Sequence, residues 1–173
     1  MAEPSTTSPT RALLAPSMLT LRILHAALVA SLGIYVVVGK LAFGEPEPGA
    51  PAPPTFESMQ LIFWMLAAIG GSMFIAIPLI RARLMPPRAR LRPNADPITE
   101  VTRPAGAAIK RYLNASLMTW ALCESIAIYG LALMFMMRDV WPYPIFAVPA
   151  AALMIYYRPT PAELEAVVRG AQR

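Results

Sequence analysis

Four apolar stretches separated by polar, proline-rich or basic segments organise the chain. The first holds no full charge between residues 23 and 39, and Arg22 and Lys40 flank it, placed to snorkel toward opposite interfaces. This pattern predicts a spanning helix over about residues 19–43. A second run covers about 59–80 and stops at Arg81, with Pro78 in its last turn as a kink site. The third covers about 112–137. The fourth, about 141–157, is the shortest, reaching roughly 25 Å at 1.5 Å per residue against a ~30 Å hydrocarbon core. Pro142 and Pro144 suit its first turn, Pro149 should kink its middle, and Trp141, Tyr143, Tyr156 and Tyr157 stand at its two ends as interfacial anchors.

The expected fold is therefore an all-α membrane protein, a four-transmembrane-helix bundle over residues 18–158. A Ser-, Thr- and Pro-rich stretch at 1–17 reads as a disordered cytoplasmic tail, and 159–173 as a short amphipathic cytoplasmic helix and tail. Arg11 and Arg22 ahead of an apolar run could imitate a secretory signal. The run is longer than such a region, and its one small-x-small site, Ala42-Phe43-Gly44, comes only after Lys40, so a retained span is expected.

Composition agrees: 57% hydrophobic and 14% charged residues, with a mean hydropathy of +0.51, lie outside the soluble range. A net charge of +5 could point to nucleic acid, but its placement argues otherwise. Residues 81–111 carry Arg81, Arg83, Arg88, Arg90, Arg92, Arg103, Lys110 and Arg111 against only Asp96 and Glu100. Such a segment stays cytoplasmic. Alternation then puts Glu45, Glu47 and Glu57 outside and both termini inside, with all but two of the 15 basic residues, Lys40 and Arg138, on the inner side. The charge is thus a topology signal and no nucleic-acid partner is expected. Arg81, Arg83, Arg88, Arg90 and Arg92 could also attract anionic lipid.

Residues 44–54 hold five prolines and should form an extended connector, while Pro86, Pro87 and Pro93 break the basic segment, leaving room for a short surface helix before the third span. Near the C-terminus, Thr160, Pro161 and Glu163 form an N-cap, an N1 proline and a capping-box acid, and Gly170 closes the helix. Leu164, Val167 and Val168 form its apolar side, expected to rest on the membrane surface in preference to a partner.

The sharpest chemical feature is Glu124, 12 residues past Tyr112 in the third run and so ~18 Å along its axis, near the bilayer midplane. An acid there costs about 2.5–3.5 kcal/mol on insertion scales, and should be protonated, paired, or turned to protein or water. Its own stripe, Leu117, Trp120, Ile128 and Leu131, cannot neutralise it. Depth matching offers Ser31 and Gly33 on the first helix and Gly70, Gly71 and Ser72 on the second. Two readings follow. In one, Glu124 is a neutral group tying helices together; in the other, it exchanges protons. His25, the sole histidine, lies about 9 Å shallower than Ser31 and reads as an interfacial hydrogen-bonded residue or a proton relay. A lone histidine among 11 methionines defines no haem or metal site, so no cofactor is expected. Cys123 and the Met134, Met136 and Met137 group read as packing residues, and one cysteine cannot form an internal disulfide.

Residues 121–133, Ala-Leu-Cys-Glu-Ser-Ile-Ala-Ile-Tyr-Gly-Leu-Ala-Leu, resemble the carboxylate helix of rotary ATPase ring proteolipids, in which an acid precedes a similar Ala-Ile-Tyr-Gly-Leu run. The resemblance implies that Glu124 matches the ion-binding acid, with Tyr129 and Gly130 the residues after it. Gly70 and Gly71 and the basic segment echo the proteolipid hairpin, although the hairpin there turns tightly and repeats Gly-x-Gly. As a whole the chain resembles small four-helix bacterial membrane proteins of unassigned activity, on the Leu-Arg-Ile-Leu-His-Ala start of the first helix and the 121–131 core of the third. That likeness implies the fold and the bacterial cytoplasmic membrane. With no Ser/His/Asp set, phosphate loop or dinucleotide fingerprint, an enzyme is not expected. The expected role is a structural or accessory subunit, with the bilayer and a membrane-protein partner or second copy as its contacts; the alternative is a proton-binding, proteolipid-like protein.

Overall fold

The computed structural model describes residues 9–43, 52, 54–85 and 102–171. Among them it is all-helical: α1 (Pro9–Ala42), α2 (Phe56–Leu84), α3 (Thr102–Met137), α4 (Pro142–Tyr156) and α5 (Pro161–Ala171). Three helices are long and apolar enough to cross a membrane, α1 from Ala15, α2, and α3 from Gly106. By length and composition this is a multi-pass membrane protein. The fourth apolar helix, α4, has 15 residues and spans only about 22 Å.

α3 is the hub, packing against each of the other four helices. Of its most apolar stretch 44% is buried, against 11% in α1 and 17% in α2, which leaves most of α1 and α2 facing outward. Leu19, Ile23, Leu41, Leu61, Ile75 and Leu79 are all exposed on those faces. In lipid such faces carry no hydrophobic penalty, so packing and interhelical hydrogen bonds decide how the helices associate.

The inward stripe of α1 follows from its spacing. Met18, Leu21, His25, Leu28, Leu32, Tyr35 and Gly39 recur at alternating steps of three and four, the seam of a left-handed helix pair. The last of these is a glycine because the Met134 side chain lies across it: a Cβ at Gly39 would collide with the methionine Sδ and Cε.

α3 and α4 form a tight antiparallel hairpin. Arg138 takes a left-handed conformation (φ 50°) that ends α3, and Asp139 Oδ1 accepts from the Trp141 N–H at 3.2 Å to start the next helix. Past the turn the backbones nearly touch at Gly130. A Cβ there would fall 2.8 Å from the Phe146 Cβ and 3.0 Å from the Tyr143 carbonyl oxygen. At the other end of the fold, Leu164 and Val168 of α5 are buried against Met18 and Leu21 of α1 and Ala108, Ile109 and Tyr112 of α3.

Several expectations need correction. Residues 9–17, expected as a disordered tail, are helical and continuous with α1; Met18 and Leu21 dock on α5 and draw the helix below the span. The helix of the third span starts well before the apolar stretch, α3 running unbroken from Thr102, while the basic segment at 86–101, where a short surface helix was expected, lies outside the described residues. Leu164 and Val168, on the side of α5 expected to rest on the membrane surface, are buried instead against α1 and α3. The N-terminal signals of α5 do operate, since the Glu163 N–H donates to Thr160 Oγ1 at 3.3 Å, yet the Glu163 side chain is engaged elsewhere. Residues 1–8, most of the proline-rich connector and residues 86–101 lie outside the described residues.

The glycine contacts yield a paired expectation. Gly130→Ala should lower thermal stability by about 1–3 kcal/mol, the scale of overpacking against atoms that cannot move aside. Gly71→Ala, whose added Cβ meets nothing within 4 Å, should leave it unchanged or slightly raised. Thermal melts of both variants in one detergent, followed by tryptophan fluorescence, measure the difference.

Candidate functional site

Glu124 lies partly buried between α3 and α1. Its Oε1 is 2.9 Å from the Tyr35 hydroxyl and 3.0 Å from Ser31 Oγ. Ser31 Oγ in turn lies 2.7 Å from the Leu28 carbonyl oxygen, one turn back on its own helix. A serine hydroxyl owns one hydrogen, and a carbonyl can only accept. An ionised carboxylate therefore satisfies at most two of these three contacts, because Ser31 must choose between Leu28 and Glu124. A protonated Glu124 satisfies all three: the Tyr35 O–H donates to Oε1, the Oε1 hydrogen is donated to Ser31 Oγ, and the Ser31 hydrogen goes to Leu28. No cation pairs with Glu124 among the described residues.

A second tyrosine fixes the neighbourhood. The Tyr143 hydroxyl, buried, donates to the Leu32 carbonyl oxygen at 2.6 Å, and its ring meets Tyr35 edge-on at 6.4 Å between centroids. α1 is thereby tied to α3 through Glu124 and to α4 through Tyr143 within about one turn. Cys123, next to the acid, is buried and free.

Of the other residues singled out in the sequence, Ser31 meets Glu124, whereas Ser72 is exposed and donates to Ile69 O of its own helix. Tyr129 packs at the edge of the core and makes no hydrogen bond to the acid. His25 sits against Trp120 at 5.0 Å between ring centroids, and its Nδ1 is buried without a partner. Among the described residues no group of three or more His, Cys, Asp or Glu side chains could hold a metal.

Tyr35 was not anticipated, although a signal for it exists. It lies one turn beyond Ser31, and helical side chains lean toward the N-terminus, so a long side chain four residues past a depth-matched position reaches back to that level. Matching by Cα depth alone overlooks such residues.

A second polar cluster stands at the α5 end. Arg81, at the end of α2, turns inward instead of toward the membrane surface: it is buried, donates to Glu163 Oε1, and lies 5.1 Å from the Tyr157 ring centroid. The Tyr112 hydroxyl donates to Glu163 Oε2 at 3.1 Å, and Trp120 Nε1–H donates to the Tyr157 carbonyl at 3.0 Å. Together these clamp α2, α3, the end of α4 and α5. Arg83 is exposed, and Arg88, Arg90 and Arg92 lie outside the described residues.

The ion pair is asymmetric, the Arg81 side chain being 10% exposed and Glu163 36%. Removing the acid strands a buried cation, whereas removing the arginine leaves an acid that water reaches. Glu163→Ala should thus destabilise more than Arg81→Met, by about 1–2 kcal/mol. Equal losses in thermal or denaturant unfolding would contradict this ordering. In comparisons with known protein families, curated proteins and solved structures, none matches this chain.

Proposed function

We propose that this chain is a non-enzymatic structural or accessory subunit of a bacterial cytoplasmic membrane assembly, in which neutral Glu124 fixes the register of α1 against α3. The observation that carries this reading is the double contact on Oε1 together with the Ser31–Leu28 contact, a set that only the protonated acid completes. Interhelical hydrogen bonds of this kind contribute about 0.6 kcal/mol on average, up to about 2 kcal/mol. That is modest for stability but enough to select one register between two otherwise apolar faces.

In this reading α4 is the fourth span, its shortness met by local thinning of the bilayer and by its flanking aromatic residues. Both termini lie in the cytoplasm, on the arginine distribution. Single cysteines introduced at Ala52 and Arg83, both exposed, test the orientation. A membrane-impermeant maleimide applied to intact cells should modify the first and spare the second, and the reverse labelling would invert the topology.

One observation favours a second reading, a proton-binding protein resembling ring proteolipids. The same contacts form a continuous relay from the Tyr35 hydroxyl through Glu124 to Ser31, and such a chain can pass a proton as well as hold one. Glu124→Gln separates the two. For a structural group the variant should keep the wild-type melting profile and oligomer, Glu124→Leu should lose about 1 kcal/mol, and both should match wild type in proton flux across reconstituted vesicles. Flux present in wild type and abolished in Glu124→Gln, with dicyclohexylcarbodiimide reacting at Glu124, would move the assignment to proton binding.

A further inference from the structure

At the α5 end, a cavity of about 530 Å³ opens between the first turns of the α1 span and the α4–α5 link, lined by Arg22, His25, Ile155, Arg158, Thr160 and their prolines. Two cations face it with nothing to neutralise them: neither the Arg22 nor the Arg158 guanidinium makes an ion pair or hydrogen bond among the described residues. Glu163, in the first turn of α5, does not line this cavity and is held by Arg81 and Tyr112. Among the described residues one acid, Glu165, lines the adjoining cavity, which shares Arg22 and Pro161, and it has an interaction of its own. Thr160 and the His25 ring complete the lining with groups able to hydrogen-bond an oxyanion.

We propose that this cavity binds the phosphate of an anionic phospholipid. Guanidinium groups match phosphate oxygens in geometry and charge. The position also fits a headgroup, since Arg22 precedes the charge-free stretch of α1 and Arg158 follows the last turn of α4. A lipid is favoured over a free phosphate because exposed apolar side chains flank the site. Ile155 on α4 (58% exposed) and Ile23 on α1 (60% exposed) offer the acyl chains a surface beside the cations. A soluble anion would gain nothing from them.

The site is separate from Glu124 and does not rest on either reading of that residue. It also differs from general attraction to the basic segment, because it joins two arginines, one on α1 and one in the α4–α5 link, across a cavity.

Native mass spectrometry of the full chain in neutral detergent tests the proposal, with dioctanoyl phosphatidylglycerol and dioctanoyl phosphatidylcholine as probes. At about a tenfold change per 1.4 kcal/mol, two well-placed arginines correspond to a preference of roughly thirtyfold for the anionic lipid. Arg22→Gln/Arg158→Gln should reduce retention of phosphatidylglycerol to the phosphatidylcholine level, while Arg83→Gln keeps it. Equal retention of the two lipids by wild type, or a loss in Arg83→Gln as large as in the double variant, would overturn the site. Displacement by inorganic phosphate at equal concentration would overturn the lipid and assign a free anion. If the double variant fails to run as a single species on gel filtration, Arg158→Gln alone decides: about a fivefold loss supports the site, and unchanged retention overturns it.

Discussion

A carboxyl group placed inside an apolar spanning helix has to find its hydrogen-bond partners within the protein, and that requirement organises the middle of this fold. Lipid offers none, and an unsatisfied polar group there costs several kcal/mol. Glu124 meets the requirement with two hydroxyls, both from α1 and one turn apart. Because Tyr35 lies on the seam that packs α1 inward and Ser31 borders it, satisfying the acid and seating the helix are one event. A slip of α1 by one turn would carry both hydroxyls about 5.4 Å away. The apolar side chains along the seam could adapt to such a slip far more cheaply than the acid could.

The same logic governs the α5 end with the signs changed. There Arg81 is the costly buried group, and Glu163 with the Tyr157 ring face compensates it. Glu163 has a second duty at the start of α5, since its backbone N–H is the one that Thr160 caps. One residue thus fixes both where α5 begins and how it docks. The two clusters are joined through α3, which contributes Glu124 to one and Tyr112 to the other. This explains why α3 is the most buried spanning helix although its sequence is no more apolar than those of α1 and α2.

Hydropathy made the three long apolar helices and the short fourth legible in the sequence, because burial in lipid selects on composition and length alone. Ends were less legible. α1 extends to Pro9 and α3 to Thr102 because Met18, Leu21, Ala108 and Ile109 have α5 to dock on, a contact between distant segments that local composition does not encode. The apolar side of α5 was plain, but its occupant was not: amphipathicity says that a face must be covered and leaves open by what. At Glu124, Ser31 could be found by depth, while Ser72, equally well matched, faces outward on α2 and bonds its own helix. Depth fixes one cylindrical coordinate, and the rotation of each helix, set by tertiary packing, fixes the other.

Rotation also explains how the two ends come to differ in what they leave free. The α1 seam turns His25 against Trp120 and Tyr35 toward Glu124, and in doing so leaves Arg22, three residues before His25, exposed beside the α4–α5 link. Arg158 reaches the same cavity because Trp120 holds the preceding carbonyl, that of Tyr157. Glu163 is committed to the buried Arg81, and Arg22 and Arg158 make no ion pair among the described residues, which leaves two arginines at the mouth of an otherwise apolar fold, where a phosphate can meet both.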